Sequence, residues 1–158
     1  LSHVSTYQIC YASGELGPKR REGDRQVPEG FYKLTWFKAK SDFHMAMLVG
    51  YPNGSDQILS HPTEPGGEIM IHGSCVSIGC LAMSDDRIEE LWVMAYSAPR
   101  AVPIHIFPSR DIARLIETAA YPQHEAFWRN LKEGFDRFEG THSLFEVAVA
   151  RDGRYLLR

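Results

Sequence analysis

A chain of 158 residues with 44% apolar and 23% charged residues has the balance of one globular domain with its own core. A formal net charge of −3 argues against a nucleic-acid partner or an anionic-membrane patch. No apolar run approaches the ~20 residues that span a bilayer, no signal peptide is visible, and Leu1 is not a natural start, so the chain reads as trimmed at its N-terminus.

In chain order, residues 4–11 (VSTYQICY) alternate, with Tyr7, Ile9 and Tyr11 on one face, and read as a strand. Residues 14–30 are rich in Gly, Pro and charge and read as a long loop. Two apolar strands are expected next, at 31–37 and 43–51, the second apolar enough to be central. PNGSD at 52–56 marks a turn, 57–61 one helical turn, and 62–67 a further loop. Residues 68–72 (EIMIH) form a short strand that ends in His72.

Ser84 suits a helix N-cap, and Asp85 and Asp86 suit the positive end of the helix dipole. Ile88, Leu91, Trp92 and Ala95 then recur at i, i+3, i+4 and i+7, a core-facing stripe that places a helix over about 85–96. Residues 102–107 read as a short strand whose Pro103 implies an edge position or a strand start. Helices follow at 111–120 and 123–138, broken at Tyr121-Pro122. A terminal hairpin joins 144–150 to 155–157 through a type I′ turn at Asp152-Gly153. The pattern is that of one α+β domain over 1–158, with a mixed or mainly antiparallel sheet and flanking helices.

The chemistry concentrates in 68–92. His72 ends a strand, 73–79 is a Gly/Ser-rich loop, and Cys80 follows Gly79. A thiol needs a base to become thiolate and backbone N–H groups for a developing oxyanion. Cys80 is therefore the candidate nucleophile and His72 the candidate base. The amides of Gly79 and Cys80 are the candidate oxyanion donors. The three cysteines, Cys10, Cys75 and Cys80, leave at least one free thiol, and the odd count argues against a disulfide scaffold. A Cys75–Cys80 bridge would silence the nucleophile; Cys75 reads as structural. Seven histidines lack any His-Glu-x-x-His spacing, and the cysteines lack the second pair of a zinc site, so neither metal nor cofactor is expected. There is no Gly-x-Ser-x-Gly elbow, phosphate loop or dinucleotide fingerprint.

His72-Gly73 followed by Ser77-Ile78-Gly79-Cys80-Leu81-Ala82-Met83 resembles the active-site signature of the L,D-transpeptidase catalytic domain, with its YkuD-like fold. The likeness extends to GELGPK at 14–19, EGD at 22–24, PEGFY at 28–32, YPN at 51–53 and HIFPSR at 105–110. Ile78 stands where that family has His, Ala82 where it has Arg, and the His-to-Cys spacer is short. These features are similar to a murein L,D-transpeptidase-like branch of the family.

The resemblance implies a periplasmic, envelope or secreted enzyme acting on peptidoglycan stem peptides (muropeptides), by transpeptidation or by hydrolysis. A link between the wall and a lipoprotein is among the substrates it implies, and a non-catalytic wall-binding module is the alternative. It further implies that the Gly73 carbonyl orients His72. By the same resemblance Arg110 and His105 would read stem-peptide carboxylates, Ser77 matches the family serine of the substrate site, and Tyr51, Lys19 and Arg25 would line the cleft; by residue type alone, a hydroxyl in a Gly-rich loop reads as a turn hydrogen bonder.

Overall fold

The computed structural model describes residues 1–158. Five strands, β1 (Gly30–Ser41), β2 (His44–Val49), β3 (Met70–His72), β4 (Leu81–Ala82) and β5 (Pro103–Ile106), form one sheet in the order β4-β3-β2-β1-β5. All neighbours are antiparallel except β3 and β4, which run parallel with Ile71 opposite Leu81 and His72 opposite Ala82. Pro103, which has no N–H for a second neighbour, lies on an edge strand as its chemistry requires.

β1 joins two cores because successive residues of a strand face opposite sides. Tyr32 and Leu34 pack with Met47, Val49, Ile71, Met83 and Ile88. Phe31 packs on the other side with Ile112, Trp128, Leu131 and Tyr155. The first core takes the apolar stripe of α2 (Asp85–Tyr96), where Ile88 is fully buried and Ala95 nearly so. The second lies under α3 (Ile112–Glu117), α4 (Glu125–Thr141) and a separate hairpin of β6 (Val147–Val149) and β7 (Tyr155–Leu157). The buried Trp128 indole donates to the Glu29 carboxylate at 2.7 Å, which ties α4 to the chain just before β1. The fold is α+β with a mainly antiparallel sheet.

Several local expectations are corrected. Residues 4–11 form no strand; only Tyr11 bridges, to Ala82. Their alternation is that of a strand, but the edge they meet, β4, has two residues and offers no ladder. The helical turn after PNGSD is α1 (Gly54–Leu59), which begins earlier because Asn53 caps it and the Asp56 carboxylate returns the bond to the Asn53 N–H. Ser84 holds the N-cap position of α2, yet its hydroxyl bonds the Asp86 carboxylate rather than the helix backbone. The β6–β7 connection spans residues 150–154. Asp152 is not among the residues with positive φ, so the two-residue type I′ turn, which needs both central φ positive, does not form.

Candidate active site

Cys80 lies just before β4, one residue back from the Ile71–Leu81 pair, and is therefore beside Met70. The Met70 N–H points at the sulfur (3.4 Å), and the thiol donates towards the Glu68 carbonyl (3.8 Å). Gly79 has φ of 86°, the left-handed backbone that lets the loop turn into β4. Ser77 closes that turn twice: its hydroxyl accepts the Cys80 N–H at 2.8 Å and donates to the Cys80 carbonyl at 2.8 Å.

His72 ends β3, 3% exposed, with the Phe43 ring 4.8 Å away. Its Nδ1 lies 2.7 Å from the Gly73 carbonyl oxygen. A carbonyl only accepts, so Nδ1 carries the proton and the neutral ring's Nε2 is left as a proton acceptor. The parallel register sets His72 opposite Ala82, two residues past Cys80. The Cα atoms of His72, at the end of β3, and Cys80, just before β4, are thus about 8 Å apart. The thiol is turned to the Glu68 carbonyl, and the imidazole's hydrogen bond is to Gly73 rather than to the sulfur. Burial pushes the Cys80 thiol up, while the Met70 N–H, the Ser77 hydroxyl and the Lys19 ammonium pull the other way.

Neither expected oxyanion donor is free at rest. The Cys80 N–H is held by Ser77, and the Gly79 N–H donates to the Ser13 hydroxyl at 2.6 Å, which itself donates to the Arg25 carbonyl at 2.8 Å. Ser13 was not legible as a partner, because a contact across 66 residues leaves no local pattern.

The N-terminal segment is strapped to the nucleophile loop. Cys10 and Cys75 form a disulfide, which corrects the expectation of a chain without a disulfide framework; no Cys75–Cys80 bridge forms. Cys80 remains the free thiol. The Cys10 N–H bonds the Ala82 carbonyl at 2.9 Å, and the Ala82 N–H bonds the Tyr11 carbonyl at 3.0 Å.

Cys80 opens into a cleft of about 470 Å³ whose charged lining is Lys19, Glu22, Arg25, Glu64 and Glu68. Lys19 is 5% exposed and already engaged, donating to Asp24 at 2.7 Å and to the Arg21 carbonyl at 2.9 Å. Tyr51 does not line the cleft. It supports the wall from behind, its hydroxyl donating to the Pro65 carbonyl at 2.8 Å. His105 and Arg110 are not brought to Cys80. They line a separate cavity of about 690 Å³ with Phe107, Phe135 and Phe138. β5, which carries His105, is the edge opposite β4, four strand spacings or about 19 Å away. Burial holds the His105 imidazole below its usual range, among Phe31, Phe107, Phe138 and Phe145.

The model of the YkuD family, L,D-transpeptidase catalytic domain, matches residues 2–106, which contain every strand of the main sheet, His72 and Cys80. The chain belongs to the L,D-transpeptidase catalytic domain family. The Escherichia coli K12 protein named "Putative L,D-transpeptidase YafK" is 38% identical over 161 aligned residues, covering 98% of this chain and 63% of that relative. A protein of the same name from Escherichia coli O157:H7 matches to the same extent. The chain thus spans somewhat less than two thirds of the length of these relatives. Among solved structures, the helical cell shape determining protein Pgp2 from Campylobacter jejuni aligns with a TM-score of 0.47 at 20% identity, over 85% of this chain and 61% of that one. In this L,D-transpeptidase domain the matched region ends at the last strand of the main sheet; α3, α4 and the β6–β7 hairpin lie beyond it. No helix is long and apolar enough to cross a membrane.

Proposed function

We propose that this domain is a cysteine acyl-transfer enzyme acting on peptidoglycan stem peptides. The observation that carries the reading is the position of the free thiol, Cys80, at a charged cleft and at the start of the strand that pairs with β3, which ends in a histidine whose Nδ1 is pinned by the Gly73 carbonyl. Substrate entry turns the thiol from Glu68 to the imidazole. His72 Nε2 takes the thiol proton, and the sulfur attacks the amide carbonyl next to a diaminopimelate centre. The carbon–nitrogen bond then breaks, His72 returns the proton to the departing amine, and a thioester to Cys80 remains. Water releases it as an acid; an incoming amine releases it as a new amide.

The Gly79 and Cys80 amides stabilise the tetrahedral oxyanion only after the Ser13 and Ser77 hydroxyls turn away, so the site is completed by binding rather than preformed. A raised thiol pKa agrees with this, since a buried thiol stays protonated until the base is within reach. Links between wall and protein fall within the same chemistry, and the place of action is the bacterial envelope or its exterior. The occupied amides, together with Ile78 and Ala82 in the family positions of His and Arg, favour a second reading, a wall-binding domain without turnover.

Mass spectrometry of defined muropeptides incubated with the protein and with Cys80→Ala separates these outcomes. Shortened stems with wild type alone mark a hydrolase, and exchanged or cross-linked stems mark a transpeptidase. Saturable binding with no product from either protein refutes the enzymatic reading.

A further inference from the structure

The cleft beside Cys80 has a charge pattern that its neighbours leave uncompensated. Its lining carries two cations, Lys19 and Arg25, and three carboxylates, Glu22, Glu64 and Glu68. Lys19 is neutralised by Asp24. The other ion pairs of the chain are His44–Glu89, Arg87 with Asp86 and Glu90, Arg129–Glu125 and Lys132–Asp136, and none uses a charged group of this lining. Arg25 is therefore an unpaired guanidinium in a cleft whose other unpaired charges are carboxylates. A simple anion meets a lining of net negative charge, and a simple cation leaves the Arg25 guanidinium without a counter-charge. A group that carries both charges meets both.

The backbone singles out one residue of each sign. Seven non-glycine residues have left-handed φ, and two of them line this cleft: Arg25 at 60° and Glu68 at 52°. Such backbone is costly for residues with a Cβ and persists where surrounding structure holds it. Both residues also touch the nucleophile loop through their carbonyls. That of Arg25 accepts the Ser13 hydroxyl that holds the Gly79 N–H, and that of Glu68 faces the Cys80 sulfur.

We propose that Arg25 and Glu68 form a zwitterion-reading pair that docks an amino-acid centre bearing a free carboxylate and a free ammonium beside Cys80. The guanidinium binds the carboxylate through its fork of N–H donors, and the Glu68 carboxylate accepts from the ammonium. The inference rests on the proposed function for the reaction that follows, but not for binding. Two groups offer this chemistry: the free centre of a diamino acid in the donor stem, and a free amino acid arriving as acceptor.

The test is calorimetric titration of Cys80→Ala protein with a tetrapeptide muropeptide whose diamino acid has a free centre, and with the same compound capped as carboxamide or as N-acetyl amine. Arg25→Asn and Glu68→Asn, each in the Cys80→Ala background, are the variants, because Asn tolerates left-handed φ and keeps the backbone in place. Loss of one charged hydrogen-bonded contact corresponds to roughly ten- to a hundredfold in affinity. Arg25→Asn should lose that factor for the free compound and become indifferent to the carboxamide cap. Glu68→Asn should lose a similar factor and become indifferent to N-acetylation. Displacement by free D-alanine assigns the zwitterion to the acceptor, and tight binding unaffected by D-alanine assigns it to the donor. Variants with the circular dichroism of the parent that bind the free compound as tightly as it does overturn the proposal. So do variants in which both caps still cost as much as in the parent. Absence of turnover by wild type with the binding pattern intact removes the enzymatic reading and leaves the pair standing.

Discussion

Removing the Cys10–Cys75 disulfide by the double substitution Cys10→Ser and Cys75→Ser tests whether the N-terminal strap is part of the active-site architecture. The bridge joins residues 65 apart. Closing a loop of that length in the unfolded chain corresponds to about 4 kcal/mol in the chain-entropy account. That full amount is realised only if the strap stays docked when the bridge is absent. What then holds it is modest: the backbone bonds between Cys10, Tyr11 and Ala82, the Ser13–Gly79 bond, and Tyr7 packed against the first core. At about 1 kcal/mol for each hydrogen bond, these contacts are comparable to the entropy of ordering the segment. Reduction or substitution should therefore free the strap before the sheet unfolds. Urea denaturation should show a loss of about 2–4 kcal/mol. Hydrogen exchange should quicken first at the Ala82 and Gly79 amides, while Met47 and Val49 in the central strand keep their protection. A double variant within 1 kcal/mol of wild type, with Ala82 and Gly79 as protected as before, would refute the reasoning.

Three further expectations follow from groups described above. Burial raises the Cys80 thiol, so alkylation of the native protein by iodoacetamide should be slower at pH 7 than that of the unfolded chain, and should keep rising above the usual cysteine range; a plateau near neutral pH would show a preformed thiolate–imidazolium pair instead. Burial also pushes Asp56 up from 3.8 to about 6, so the folded state keeps a proton that the unfolded chain has lost between those values. Its contribution therefore falls by about 3 kcal/mol as pH rises through that window and is flat above it. Urea titrations of wild type and Asp56→Asn at pH 4 and pH 6.5, which cover most of that window, should show the difference between the two proteins shifting by about 2 kcal/mol in favour of the variant; parallel profiles would contradict the assignment. Gly134→Ala should destabilise by about 1–3 kcal/mol despite the better helix propensity of alanine. The new methyl would lie 2.3 Å from the Phe31 ring, which Tyr155, Phe107 and Phe145 hold edge-on, and thermal melting reads the change.

What the sequence made legible was local. The stripe of Ile88, Leu91, Trp92 and Ala95 predicts α2 because helical period and burial coincide there. His72, Gly79 and Cys80 are separated by eight residues at most, so a strand, a turn and a thiol could be read as one unit. What escaped depends on partners distant in sequence. The alternation of Tyr7, Ile9 and Tyr11 predicts a strand, yet strand formation needs an edge long enough to pair with, and β4 has two residues. Two residues are also too few to show a period, so the parallel β3–β4 pair that sets Cys80 beside Met70 left no trace. The Cys10–Cys75 pairing joins two loops 65 residues apart and could not be derived from spacing. Arg110 and His105 carry suitable chemistry for a carboxylate, but the order of strands sends β5 to the far edge. Of the residues the resemblance assigns to the cleft, Lys19 and Arg25 do line it, Arg25 from the loop that folds over Gly79.

The strap has a further consequence, for how copies of the chain behave towards one another. An open sheet ends in unpaired N–H and C=O groups that a second chain can extend. Here β4 is the edge, and the backbone groups of Ala82 that face outward are taken by Cys10 and Tyr11. At the opposite edge, β5 is four residues long and opens with Pro103, which has no N–H to offer. β4 is too short to pair a whole strand, and the disulfide that fastens the strap also keeps its outward backbone groups at Ala82 covered. A chain that loses it exposes a short apolar edge beside Val76 and Ile78, both of which already face solvent. Reduction is therefore expected to add sticky surface beside the nucleophile loop, which light scattering of the reduced and oxidised protein would read.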